Sequence, residues 1–288
     1  AMDCAKAILL FYEFPYLNFE NVLEFNKKGE IPTERETGLI CVPSTSGTGS
    51  EVTRGTVITD PEKELKVPIM TDCLRPDLAI LDPEITMTMP DHVAAETGMD
   101  ALTHAIEAYT NHNLDDFDEG LCSSAIIGIM KWLPVSVFDK TLEAREKVHN
   151  YQAMAGIGFA NVGLGMVHGI AHSFGAAYNM AHGLTNAIIL PYVLRYNSRD
   201  AVVREKLAEL SYRCHCDDII TEIEKMREKL GIPASFREAG ITEEMYREKY
   251  DLLLEHAMLG ATNVNPVKMT IEEMKKMLNV VYTGNWEI

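Results

Sequence analysis

Between Tyr151 and Leu194 the chain carries no Asp, Glu, Lys or Arg, although 24% of its residues are charged. So long a stretch without a charge belongs largely inside a fold. It nevertheless contains His168, His172 and His182, and an imidazole taken out of water needs a hydrogen-bond or metal partner there. His168 and His172 are four apart, which places both on one face of a helix. His182 follows a run containing Gly175 and Asn179 that reads as a turn ending at His182-Gly183. No Glu follows His168, so the HExxH pattern of zinc proteases is absent. Neutral core histidines bonded to backbone are the alternative, and spacing alone leaves both readings open.

Two further segments carry candidate chemistry. In the helix expected over 91–111, Met99, Leu102, Ile106 and Tyr109 form an apolar stripe, while Asp100 and His104 share another face with Glu107 beside them. That pair reads as two metal ligands, as a surface Asp–His pair, or as Asp100 in the third position of a capping box begun by Thr97. The other segment is Pro43-Ser44-Thr45-Ser46-Gly47-Thr48-Gly49-Ser50-Glu51-Val52-Thr53, directly after an expected strand. Small hydroxyl residues and glycines there let backbone N–H groups approach a phosphate or ribose. Cys214-His215-Cys216 suggests zinc, but no second pair at ligand spacing accompanies it.

With 288 residues and 47% hydrophobic content the chain can build a substantial core. Its net charge of −17 repels phosphate backbones and anionic lipid, so neither nucleic acid nor a membrane surface is an expected partner. The six scattered cysteines lack the density of a disulfide scaffold and suit a reducing cytoplasm. No signal peptide is visible, and Gly, Asn, His and Pro interrupt the charge-free stretch too often for a membrane span. Ala1-Met2-Asp3-Cys4-Ala5-Lys6 reads as the inside of a helix without a cap, as though cut from a longer chain.

Strands are expected at Gly38 to Pro43, Thr56 to Thr59, Leu65 to Met70 and Leu78 to Leu81, with Asp60 to Glu64 as a turn. After Met89-Pro90 helical periodicity takes over, near 91–111, 116–134, 141–160, 164–177, 184–196, 199–212, 216–230, 243–259 and 270–282. The expected fold class is therefore α/β plus all-α, with a partial α/β unit over 1–88 and an all-helical unit over 89–288.

The ordered segments AMDCAK, PSTSGTGSEVT, ETGMDALTHAIEAY and GMVHGIAHSFGAAYNMAHGLTNAIILP resemble the iron-containing (group III) alcohol dehydrogenases, of dehydroquinate synthase-like fold, and the resemblance runs through essentially the whole chain. It implies the remnant of a dinucleotide-binding α/β domain followed by a helical metal-binding domain. It makes Asp100, His104, His168 and His182 the ligands of Fe2+ or Zn2+, and places His172 by the nicotinamide as a catalytic proton relay. It puts Ser44, Thr45, Thr48 and Thr53 on the loop that contacts NAD or NADP, with Lys66 near the nucleotide. A small alcohol or aldehyde is the implied substrate, and a homo-oligomer the implied assembly. The family's Gly-Gly-Gly-Ser phosphate loop would lie before Ala1 and is absent, and Val267 stands where an Arg often follows the Asn-Pro of Asn265-Pro266. The alternatives are a catalytically silent metal-binding fragment and a dehydroquinate synthase-like enzyme.

Overall fold

The computed structural model describes residues 1–60 and 65–286. Its first part contains helices α1 (Met2–Glu13) and α2 (Val22–Lys28), strands β1 (Ile40–Cys41), β2 (Gly55–Asp60), β3 (Leu65–Met70) and β4 (Leu78–Ala79), and the short helix α3 (Pro83–Thr86). β1 and β4 pair in parallel, Ile40 opposite Leu78 and Cys41 opposite Ala79. β2 and β3 form an antiparallel ribbon, from Gly55 opposite Met70 to Asp60 opposite Leu65. Pro61 to Glu64 of the expected turn lie outside the described residues. Leu10, Leu17, Val22, Ile31, Ile69, Cys73 and Leu74 make a small separate core.

The outer expected strands are shorter than their apolar runs. Among the described residues β1 and β4 pair only with each other, over two residues, and Ile40, Val42, Leu78 and Ile80 stay exposed. Two helices were not anticipated. α2 ends on Gly29 in the left-handed conformation, and α3 starts with Pro83 in its first turn and Asp82 accepting from Glu84 N. Asp82-Pro83 ends a strand and also begins a helix, and the local signal does not distinguish the two.

Among the described residues ten α-helices follow: α4 (Asp91–Thr110), α5 (Asp116–Phe138), α6 (Leu142–Val162), α7 (Met166–Tyr178), α8 (His182–Asn197), α9 (Ala201–Arg213), α10 (Ile219–Lys229), α11 (Glu243–Glu248), α12 (Tyr250–Ala257) and α13 (Ile271–Thr283). Six of them start at a side chain that accepts a backbone N–H: Asp115, Thr141, Asp200, Asp218, Thr242, and Thr270 in a full capping box with Glu273. The helix expected over 243–259 is broken at Lys249 into α11 and α12. α8 begins at His182 itself, so that residue belongs to a helix rather than to the preceding turn.

α4 is the central element. It packs against α5, α6, α8 and α9 and is buried on all sides from Gly98 to Thr110, so the face carrying Asp100 and His104 points inward as fully as the apolar stripe does. α6 and α7 meet at a 105° bend over Gly163-Leu164-Gly165, and α7 packs on α8, α12 and β3. α5 is long and apolar enough to cross a membrane, but half of that window is buried, against α4 and α6.

Candidate metal centre

Asp100 and His104 come from α4, His168 from α7 and His182 from the first position of α8. One ligand atom from each lies within 4.8 Å of every other. Asp100 Oδ1 is 3.9 Å from His104 Nε2, 3.8 Å from His168 Nε2 and 3.7 Å from His182 Nε2. Three of the four are buried, while 29% of the His182 side chain is exposed, so the cluster opens on the side of α8. This burial rules out a surface Asp–His pair. Thr97 lies inside α4, donating to Val93 O, so it begins no capping box.

Close helix packing makes this convergence possible. A Cβ on Gly183 would lie 2.1 Å from the Glu96 carbonyl oxygen, so only glycine lets α8 start flush against α4, one turn before Asp100. Gly47 meets the same turn from the loop side, where a Cβ would be 2.6 Å from Thr97 Cβ.

A ring of supporting contacts holds the four side chains. Asn186 Nδ2 donates to Asp100 Oδ1 at 2.6 Å and lies 3.1 Å from His168 Nε2 and 3.2 Å from His182 Nε2. Glu107 accepts the Val167 N–H on Oε1 at 2.7 Å, and its Oε2 lies 2.6 Å from His168 Nδ1. The His104 ring is stacked between Phe159, at 4.3 Å, and His168, at 4.6 Å. His172 stands beside the four rather than among them, stacked 5.2 Å from His182. The sequence pattern set Glu107 next to Asp100 and His104 without a role, and it did not single out Asn186 or Phe159. The available signal for Asn186 was its i, i+4 spacing from His182.

Burial opposes charge on Asp100, but His104, His182, His168 and the Asn186 amide together outweigh it and hold the carboxyl at about 2. Burial keeps His168 well below the ordinary imidazole range. It also pushes Glu107 up to about 7, against the pull of the Val167 and Gly165 N–H groups. One carboxylate and three imidazoles converging in a largely buried cluster are the donor set of a borderline divalent ion such as Fe2+ or Zn2+, so the residues present fit such an ion. Cys214 and Cys216 join no such cluster among the described residues.

The loop from Pro43 to Thr53 is held from two sides. Along α6, His149 Nδ1 is 2.8 Å from Ser46 Oγ, Gln152 Oε1 accepts the Gly49 N–H at 3.1 Å, Gln152 Nε2 donates to Glu51 at 2.5 Å, and Gly156 packs directly on Gly49. From α1, Asp3 accepts from Ser50 Oγ at 2.9 Å, and the buried Lys6 donates to the carbonyls of Thr53, at 2.7 Å, and Gly55, at 3.0 Å. Ser44 and Thr48 are exposed, Thr45 is half-buried and Thr53 is buried. Lys66 reaches from β3 to α7, where a Cβ on Gly175 would lie 3.4 Å from its Nζ, and Asp100 partly offsets the lowering of its pKa by burial. Phe159, which stacks on His104, also lines Gly49, so loop and cluster share a wall.

Fold and site together define a protein with a small α/β part and a helical part that gathers the ligand set of a divalent metal. Residues 1–83 match the description "Iron-containing alcohol dehydrogenase", and residues 94–282 match "Fe-containing alcohol dehydrogenase family, C-terminal". The NADPH-dependent butanol dehydrogenase of Clostridium saccharobutylicum is 38% identical, over 98% of this chain and 74% of its own length. An alcohol dehydrogenase of Thermococcus barophilus is 39% identical, over 96% and 73%. The solved iron-containing alcohol dehydrogenase from Thermococcus thioreducens superposes with a TM-score of 0.90 at 35% identity, over 99% of this chain and 75% of that one. The sulfoacetaldehyde reductase of Bifidobacterium kashiwanohense, solved in complex with NAD+, has a TM-score of 0.84 at 26% identity, over 99% and 74%. The chain belongs to the iron-containing alcohol dehydrogenase family.

Proposed function

We infer that this chain performs the metal-dependent exchange of hydride between a small primary alcohol or aldehyde and NAD or NADP, with Asp100, His104, His168 and His182 holding the ion. The observation that carries the reading is the convergence of those four ligand atoms within 4.8 Å on three helices. An ion held there supplies Lewis acidity, favouring loss of the alcohol proton in one direction and polarising the aldehyde carbonyl in the other. The surrounding residues bind and orient. Three buried ligands close the cluster on all sides but that of α8, and His182, partly exposed, borders the entrance. His172 stacks on His182 at that entrance, in position to carry a proton between substrate and solvent.

The loop would hold the nucleotide, with the hydroxyls of Ser44, Thr45 and Thr48 available to it. Thr53, buried behind them, supports the loop through the carbonyl that accepts from Lys6. Lys66, lying between β3 and α7, supplies a positive charge between loop and cluster. The break between the two matched family segments, at 83 and 94, supports a division near residue 88. The exposed Ile40, Val42, Leu78 and Ile80 support self-association through the β1–β4 edge. The unpaired cysteines suit a cytoplasmic enzyme, and the net charge of −17 argues against nucleic-acid or membrane partners.

The test is His182→Ala. It is expected to lose stoichiometric metal in elemental analysis, and with it turnover of short primary alcohols with NAD+ or NADP+. One tight ion per chain in that variant would sink the assignment.

A further inference from the structure

We propose that Glu107 is a positioning residue that sets the tautomer of His168, keeping the proton on Nδ1 so that Nε2 presents its lone pair to the cluster. The proposal rests on the reading of His168 as a metal ligand, and it concerns the one member of the four whose two ring nitrogens both have side-chain partners.

A neutral imidazole has one N–H and one lone pair, and the partner of one nitrogen decides the state of the other. Glu107 is 5% exposed and already accepts the Val167 N–H, with the Gly165 N–H a second backbone donor. The ionised carboxyl offers only acceptors, so against it the 2.6 Å contact is a hydrogen bond donated by His168 Nδ1, whereas a protonated Oε2 would donate to Nδ1 and put the ring proton on Nε2, against the Asn186 amide. Were the proton on Nε2, the Nδ1 lone pair would face a carboxylate oxygen at that distance.

An independent contact at the far side of the ring requires the same state. Asn186 donates through Nδ2 to Asp100 Oδ1, which leaves an amide N–H end 3.1 Å from His168 Nε2. That N–H end is shared with His182 Nε2 at 3.2 Å, and His168 Nε2 meets it as an acceptor. Both ends of His168 thus demand Nδ1–H and a bare Nε2, and the 105° turn between α6 and α7 brings the backbone donors Gly165 and Val167 to the carboxylate that fixes the ring between them.

Glu107→Gln separates this role from mere packing, because the amide has the shape of the carboxylate but only one acceptor. The backbone donors claim its oxygen, the NH2 group then faces His168 Nδ1, and that nitrogen must accept. The proton moves to Nε2 with no change in the total and blocks the lone pair a metal needs.

The experiment uses the full chain labelled with 15N-histidine and stripped of metal by a chelator. NMR reads the His168 tautomer, and chelator competition reads Co2+ affinity. Wild type is expected to show Nδ1–H. Folded Glu107→Gln is expected to show Nε2–H, with Co2+ affinity lower by roughly 100-fold, the upper range for loss of an outer partner of a ligand. Glu107→Asp, still an acceptor, is expected to keep Nδ1–H. A proton on Nε2 in wild type overturns the proposal, as does unchanged Co2+ affinity in folded Glu107→Gln. If Glu107→Gln does not fold, the wild-type and Glu107→Asp spectra still decide. Equal Co2+ binding by wild type and His168→Ala would refute the metal reading instead, and the tautomer spectra would be untouched by it.

Discussion

The metal cluster and the Pro43 to Thr53 loop are supported in opposite ways. In the cluster the functional atoms are side chains standing on helices whose backbones are already hydrogen-bonded to themselves. Support there comes from other side chains, Glu107 behind His168 and Phe159 on the face of His104. In the loop the functional groups are backbone N–H and short hydroxyls, and order is imposed from outside by long side chains of α1 and α6. A helix needs only close packing to aim a ligand, whereas a glycine-bearing loop has many conformations and must be tied at several points to hold one. The cluster should therefore respond most to changes in helix spacing, and the loop to loss of single hydrogen bonds.

The largest effect is expected from Gly183→Ala. The added Cβ would meet the Glu96 carbonyl, a backbone atom with little freedom to yield, and push α8 away from α4. Overpacking of this kind costs about 1–3 kcal/mol, and the upper end applies here. Denaturant unfolding should show that loss. Metal titration should show weaker binding as well, because His182 moves with the helix, and wild-type affinity in the variant would show that the cluster tolerates the shift.

A smaller and more local effect is expected from Gln152→Leu. It leaves the Gly49 N–H and a Glu51 carboxylate oxygen without partners inside the fold, a cost of about 1–2 kcal/mol. Hydrogen exchange should quicken at Gly49 and its neighbours while metal stoichiometry stays unchanged. Loss of metal along with loop protection would mean that the two regions are not supported separately.

The smallest effect is a pH slope. Burial lowers the Lys6 ammonium to about 8, partly offset by Asp3, against an ordinary value near 10.5 in the unfolded chain. Below pH 8 both states carry the proton, and the full cost of the buried charge is present. Between about 8 and 10.5 the unfolded chain keeps a proton that the folded chain has released, so the contribution of this group to stability rises with pH. Lys6→Met should remove that rise in denaturation curves compared across this window, and an unaltered slope would mean that other groups produce it.

Much of the fold was legible because its signals are local. Apolar periodicity and capping residues such as Asp115, Thr141 and Thr270 depend on neighbours within a turn or two, and the helices they mark are where they were expected. The break at Lys249 and the short helices α2 and α3 were missed because propensity over four to seven residues does not decide between helix and loop. In the site, the i, i+4 spacing of Asp100 and His104 was visible, but it did not show that α4 is buried on both faces. Asn186 and Phe159 went unremarked because a buried amide and a phenyl ring in an apolar run look like ordinary core until the groups they touch are known.

The charge-free stretch with its three histidines, the order of the motifs and the family were determined by the sequence alone, since residue identity and chain-local spacing suffice for each. Tertiary structure alone decided that His182 meets Asp100 while His172 stands aside, and that Glu107 faces Nδ1 of His168. Those relations depend on the angle and closeness at which separate helices pack, set by contacts such as Gly183 against Glu96 that join residues far apart in the chain.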